Sequence, residues 1–365
     1  MKKINNDFFK KAILKGNTSL YDNFEPTILE RKVGCDTFFT ISDNTPHYRI
    51  NKRITNIVLS QIEINSSACG FVQKKSYYDF LKPHIHGYYY LRLDIKKFFH
   101  SISITEVKSL IESCFSKEKG DAKYSPSDIA LMAVTHKASN ECPDEELKGK
   151  EILPIGLPSS PVISNIIFRR IDILIQKYCE DKKITYSRYA DDLLFSSLDS
   201  KFIHSEHFEK EISIFISTLS LRLNKKKRKA CENTISLNGY VIQNTKPKKF
   251  SFSNVYKENS VGTIRLSNKK IKVLKKLTAY LKKGLPAHFI MEKLFGLNPY
   301  KFKNTYGNDI IFYKKYSKDQ LQNKLKGYRS YLVALIKFDN KNNCVDKSNI
   351  KSLKSIIAVI DKNII

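Results

Sequence analysis

The sequence predicts an α/β chain whose last third is helical. Three patterns carry that reading. Strand-like apolar runs recur in GYYYLRLDIKKFF, ITYSRYADDLLFSS and SLNGYVIQ, bounded by Gly, Asn, Asp or Ser. Stretches between them place apolar residues at helical spacing, as with Val107, Leu110, Ile111 and Phe115 in residues 103–116. From about residue 261 the pattern is helical and basic, in IRLSNKKIKVLKKLTAYLKK and QLQNKLKGYRSYLVALIKF.

Taken in order, residues 1 to about 46 read as a helical lead-in, with Phe8, Phe9, Ile13 and Leu14 on one stripe and a break at Gly16-Asn17. HYRINKRITNIVL reads as a basic strand carrying Arg49, Lys52 and Arg53. After the strand ending near Asp94 and the helix at 103–116, residues 117–150 read as a loop or hairpin insertion around a short helix, with the acidic patch ECPDEELKGKE. ILPIGLPSSPVISN is a turn entering a long helix, and ITYSRYADDLLFSS is strand, tight turn and strand. A helix at about 204–220, the basic run LRLNKKKRK and the strand SLNGYVIQ follow.

Composition bounds the function. The 365 residues suffice for one large or two to three small domains. With 41% hydrophobic residues the chain can build a core, which excludes global disorder. A net charge of +28 favours a polyanionic partner, most simply nucleic acid, although a Lys-, Asn- and Ile-rich bias also produces such a surplus. The seven cysteines (35, 69, 114, 142, 179, 231 and 344) are scattered, with no C-x-x-C, and read as reduced thiols of a cytoplasmic protein. The N-terminus has no apolar stretch of signal-peptide length, and no run reaches the ~20 apolar residues of a membrane span.

The chemistry is concentrated in Asp94 of LRLDIKKFF and in Asp191-Asp192 of SRYADDLLFSS. Carboxylates inside apolar, strand-forming runs are costly to bury alone. Placed on strands in a chain rich in Lys and Arg, they point to divalent cations that hold a polyphosphate. An Asp pair is also an ordinary strand terminator, so YADD alone does not decide.

The ordered combination is more specific. LDIKKFF, then LPxGxPxSPxxSN (Leu153, Pro154, Gly156, Pro158, Ser160, Pro161, Ser164, Asn165), then YADD between strands resembles the palm of reverse transcriptases. GFVQKKSYYDFLKPHIHGYYYLRLDIKKFF, Lys226-Lys227 after Leu223-Asn224, and LKGYRSYLVALIKFD look like the bacterial retron-type branch, over roughly residues 45–340. The resemblance implies a right-hand polymerase architecture, an α+β palm and fingers with a helical thumb. It divides the chain into lead-in and fingers (1–93), palm (94–245, with a fingers insertion at about 117–165) and thumb with C-terminal extension (246–365).

Roles follow from that resemblance. Asp94 and Asp191 would bridge two Mg²⁺ ions (Mn²⁺ as an alternative), with Asp192 in support and the Ile95 carbonyl completing coordination. Phe99 matches the residue that closes under the sugar, so deoxynucleotides are the expected substrate. Arg49, Lys52 and Arg53 would hold the triphosphate, a solvated basic face being the plainer alternative. Gly156 would let the turn approach the nascent base pair. Lys226 would protonate pyrophosphate, with Lys225, Lys227 and Arg228 in competition. His84, Tyr189, Lys227, Lys269, Lys272, Lys276, Tyr328 and Arg329 would contact nucleic acid, although Tyr328 and Tyr331 also suit a core.

Three positions depart from the family pattern: Ile155 stands where Gln is usual, Phe80-Leu81-Lys82-Pro83-His84 keeps only the histidine of its motif, and Leu237-Asn238-Gly239 replaces V-T-G. The expected activity is RNA-directed DNA synthesis on a partner noncoding RNA in anti-phage defence. The expected partners are that structured RNA and its DNA copy, deoxynucleotides and an effector protein, with no membrane. Two rivals stay open: untemplated or protein-primed DNA synthesis, and a catalytically silent RNA-binding scaffold.

Overall fold

Every residue of Tyr89–Asp94 except Arg92 is buried, so this strand is sandwiched on both faces and its apolar run is continuous. It pairs antiparallel with Asp192–Ser197, which pairs antiparallel with Thr185–Tyr189. The register runs from Tyr89 opposite Ser197 to Asp94 opposite Asp192. Ile163, Phe168, Ile171 and Ile175 of the Ser160–Glu180 helix are buried, as are Phe208, Ile212 and Ile216 of the Glu206–Ser217 helix.

The structure is a computed structural model that describes residues 3–34, 36–245, 249–250, 253–256, 261–307 and 309–364. Packing divides the chain into two units, residues 1–83 with 89–230 and residues 84–88 with 231–365. The expected boundary at 245/246 abuts residues 246–248; those residues and Cys35 lie outside the described residues. Among the described residues Cys69, Cys114, Cys142, Cys179 and Cys231 are free thiols, and no helix is long and apolar enough to cross a membrane.

In the second unit, Thr234–Leu237, Tyr240–Gln243 and Thr263–Leu266 form a small antiparallel sheet. Residues 84–88 join it through Asn233 N–H to the Tyr88 carbonyl (2.8 Å) and Gly262 N–H to the Ile85 carbonyl (2.9 Å). Among the described residues five helices follow, including the 33-residue Ile310–Asn342, with Leu274, Leu277, Ile290, Leu325, Leu332 and Leu335 in the core.

Four local expectations are corrected. The segment carrying Arg49, Lys52 and Arg53 is the helix Pro46–Arg53, continued by a π-turn at Ile54–Val58. Thr45 caps it by accepting from the Tyr48 N–H, Pro46 opens it, and His47, Ile50, Asn51, Ile54, Thr55 and Val58 bury a helical stripe. The lead-in is only briefly helical and contains the hairpin Leu29–Val33/Asp36–Thr40. SLNGYVIQ is a hairpin, because Asn238 (φ +48°) and Gly239 (φ +89°) both take the left-handed conformation of a tight two-residue turn. Phe98 and Phe99 lie in the helical turn Phe98–Ser101, after Lys97 ends the extended run at φ +48°.

Candidate active site

The sheet register assembles the acidic site. Asp94 ends its strand opposite Asp192. Ala190, at φ +54°, turns the chain between Tyr189 and Asp192 and places Asp191 at the tip. Ile95 N–H donates to the Asp191 carbonyl (3.0 Å), and Asn224 N–H donates to the Asp94 carbonyl (2.7 Å). Three carboxylates from two neighbouring strands thus meet at one end of the sheet.

Their charges are only partly compensated. Asp94 is 2% exposed; its Oδ2 accepts from Lys227 Nζ at 2.9 Å, while Oδ1 is buried without a hydrogen-bond partner. Asp192 accepts from Arg92 through Nε (2.7 Å) and Nη2. Burial, then the charges of Asp192 and Asp94, push the Asp191 carboxyl up to about 6. Burial also raises Asp192, against the lowering effect of Arg92.

Among the described residues no three His, Cys, Asp or Glu side chains are drawn into a ready-made metal cage. Lys227 and Arg92 instead supply the positive charge. The residues nevertheless fit hard divalent cations. Oxygen donors are what such ions take, Asp94 Oδ1 lacks a partner, and a cation would relieve the repulsion that raises Asp191.

Aromatic rings gather beside the acids. Half-buried Phe99 has ring contacts with Phe98 (5.4 Å) and Phe71 (6.5 Å), and Phe71 lies 6.1 Å from Tyr189. Tyr189 also packs on Tyr77 and Phe80, so its ring is built into the protein. Phe71 is 55% exposed and held at φ +59°, a conformation few non-glycine residues adopt. Sequence reasoning missed both Phe71 and Arg92. Arg92 was findable, since a cation two residues before Asp94 on a strand shares its face.

The other predicted residues distribute as follows. Arg49, Lys52 and Arg53 line one open concavity of about 410 Å³ with Tyr48 and Asn56. Arg53 Nη1 also donates to the Ile13 carbonyl (2.7 Å). Gly156, at φ +113°, makes its close approach to the protein's own hairpin: a Cβ there would lie 2.3 Å from the Phe39 carbonyl oxygen. Lys226 is exposed, and the ammonium that reaches Asp94 belongs to Lys227, which was expected on nucleic acid.

His84 is fully buried and its imidazole is pushed down to about 3, so it is neutral and does not face a nucleic acid. In the second unit Lys269, Lys272 and Lys276 are exposed. Tyr328 is half-buried and stacks on Phe295 (6.1 Å), and Arg329 pairs with Asp361.

Residues 31–253, more than half of the chain, match the family of reverse transcriptases (RNA-dependent DNA polymerases), and the chain belongs to that family. Its α/β polymerase fold is that of this class. Among curated proteins it is similar to the retron Ec83 reverse transcriptase of Escherichia coli, 30% identical over 168 residues, which cover 46% of this chain and 51% of that protein. It is also similar to the retron Mx65 reverse transcriptase of Myxococcus xanthus, 27% identical over 179 residues, covering 44% of this chain and 40% of the relative. The retron Ec86 reverse transcriptase of Escherichia coli is 27% identical over 144 residues, covering 40% and 39%. The matched segments span about half of these relatives or less.

Proposed function

We propose that this chain is an RNA-directed DNA polymerase of retron-like type that copies a partner noncoding RNA into DNA. The observation that carries the reading is the convergence of Asp94, Asp191 and Asp192 at one end of the sheet, with Asp94 Oδ1 buried and unpartnered. When bound, two Mg²⁺ ions supply Lewis-acid activation of the primer hydroxyl and neutralise the triphosphate. Asp94 and Asp191 would hold them, Asp192 would support the site from its Arg92 clamp, and the Ile95 carbonyl would be the backbone donor. Arg49, Lys52 and Arg53 bind the triphosphate from their shared concavity. Phe99 closes against the sugar and excludes a 2′ hydroxyl. The similarity to retron enzymes supports the type and, with it, cytoplasmic work beside an effector protein in defence against phage.

The test is primer extension on RNA with Mg²⁺ and deoxynucleotides. Wild type extends, and the Asp191→Ala/Asp192→Ala protein does not; equal incorporation by both would overturn the reading. Sequencing the product separates the rivals. A defined copy of a bound RNA supports templated synthesis, and homopolymeric or random DNA supports untemplated addition.

A further inference from the structure

Directly before the acidic turn sits a fully buried charge pair. Arg188 and Asp172 are both 0% exposed. Arg188 Nε donates to Asp172 Oδ1 (2.9 Å) and Nη2 to Oδ2 (2.7 Å), a fork-on-fork pair, while the Tyr186 hydroxyl donates to the same carboxylate (2.8 Å). The third nitrogen, Nη1, donates to Asn165 Oδ1 (3.0 Å) and to the backbone carbonyl of Ala190 (3.1 Å). Asn165 Nδ2 donates in turn to the Gly70 carbonyl (2.8 Å), and a Cβ on Gly70 would lie 2.7 Å from the Ala190 nitrogen. The guanidinium also lies 4.5 Å over the Phe168 ring. One side chain thus ties the long helix, the segment beneath the turn and the turn itself together.

Packing alone does not require this. A buried ion pair repays its desolvation poorly, and apolar residues of similar volume often stabilise as well. What they cannot do is hold the carbonyl of Ala190, a non-glycine residue in the left-handed region whose strain persists only when its surroundings fix it. We infer that Arg188, anchored by Asp172, is a positioning residue that sets the Ala190 turn and thereby aims the Asp191 carboxylate at Asp94. Arg188 acts through the backbone and touches no reacting atom. The inference rests on the proposed polymerase reading for its kinetic consequence but not for its geometric one.

The experiment compares wild type, Arg188→Lys and the apolar double swap Arg188→Met/Asp172→Leu. Two quantities are read: Mn²⁺ affinity by EPR titration, and kcat and KM for deoxynucleotide addition. The lysine variant keeps a charge on Asp172 but lacks the separate nitrogen that reaches Asn165 and Ala190. Both variants are expected to remain folded, with Mn²⁺ affinity weakened about tenfold and kcat lowered about a hundredfold at nearly unchanged KM, the scale of a ~1 Å misplacement. If the double swap fails to fold, Arg188→Lys carries the test. Mn²⁺ affinity and kcat within twofold of wild type in a folded variant would overturn the inference. A wild type that binds Mn²⁺ but adds no nucleotide would instead sink the polymerase reading, with the affinity comparison still deciding the role of Arg188.

Discussion

Lys227 and Asp94 are 133 residues apart in the chain, yet Nζ and Oδ2 lie 2.9 Å apart. The pair joins a half-exposed ammonium to a carboxylate that is 2% exposed. Lys227 therefore compensates one oxygen of Asp94 and leaves Oδ1 without a hydrogen-bond partner.

Removing that lysine should be felt mainly when cations are absent. In Lys227→Ala, Asp94 loses its ammonium partner while still buried, at a cost of about 1–3 kcal/mol. Urea unfolding in chelator should show this loss, and millimolar Mg²⁺ should restore much of it. Lys226→Ala should match wild type in both conditions, because the ammonium paired with Asp94 is that of Lys227. Equal midpoints for the two alanine variants in chelator would show that Lys227 does not neutralise Asp94.

Asp191 gives the site a pH signature. Its folded value of about 6 stands above the ordinary 3.8, so between these values the folded state binds more protons than the unfolded chain. This group's contribution to stability therefore falls as pH rises from about 4 to about 6, and is constant above. In chelator, Asp191→Asn should flatten that part of the stability profile. A variant with the wild-type slope would assign it to another group.

Gly70 tests the floor of the turn. An alanine Cβ would meet the Ala190 nitrogen at 2.7 Å, and the contacts are all with the Tyr189–Ala190 backbone, which leaves little room to yield. Overpacking of this kind costs about 1–3 kcal/mol. Thermal melts should show Gly70→Ala destabilised, with extension activity falling further than stability. A Gly70→Ala protein that melts and extends as wild type would place the turn farther from residue 70.

Phe99 tests sugar choice. Phe99→Val should raise ribonucleotide use relative to deoxynucleotide by about ten- to a hundredfold, the range one steric contact supplies. Competing single-nucleotide extension with the two sugars measures it directly. An unchanged ratio would move sugar selection to another side chain, Phe71 being the exposed neighbour at 6.5 Å.

Much of the site was legible locally, because a strand's period of two and an Asp-Asp turn place carboxylates at a strand end whatever the rest of the chain does. Arg49, Lys52 and Arg53 show how local reading fails. Basic and apolar residues alternate there much as on a strand, but the Thr45 cap and the buried stripe from His47 to Val58 settle a helix. His84 shows a second failure. A histidine in a basic chain looks available to phosphate, yet complete burial keeps it neutral.

The sequence by itself determined the acidic hairpin, the strand that carries Asp94, the long helix after LPIGLPSSP and the family to which the chain belongs. Each depends on residues close in the chain, where periodicity and turn chemistry act directly. Only the tertiary structure decided that Lys227 meets Asp94, that Arg92 clamps Asp192, and that Arg188 joins Asp172, Asn165 and Ala190. Those partners are long polar side chains whose placement is dictated by burial. A charge taken out of water must find its counter-charge, and which one it finds depends on which elements the sheet brings together.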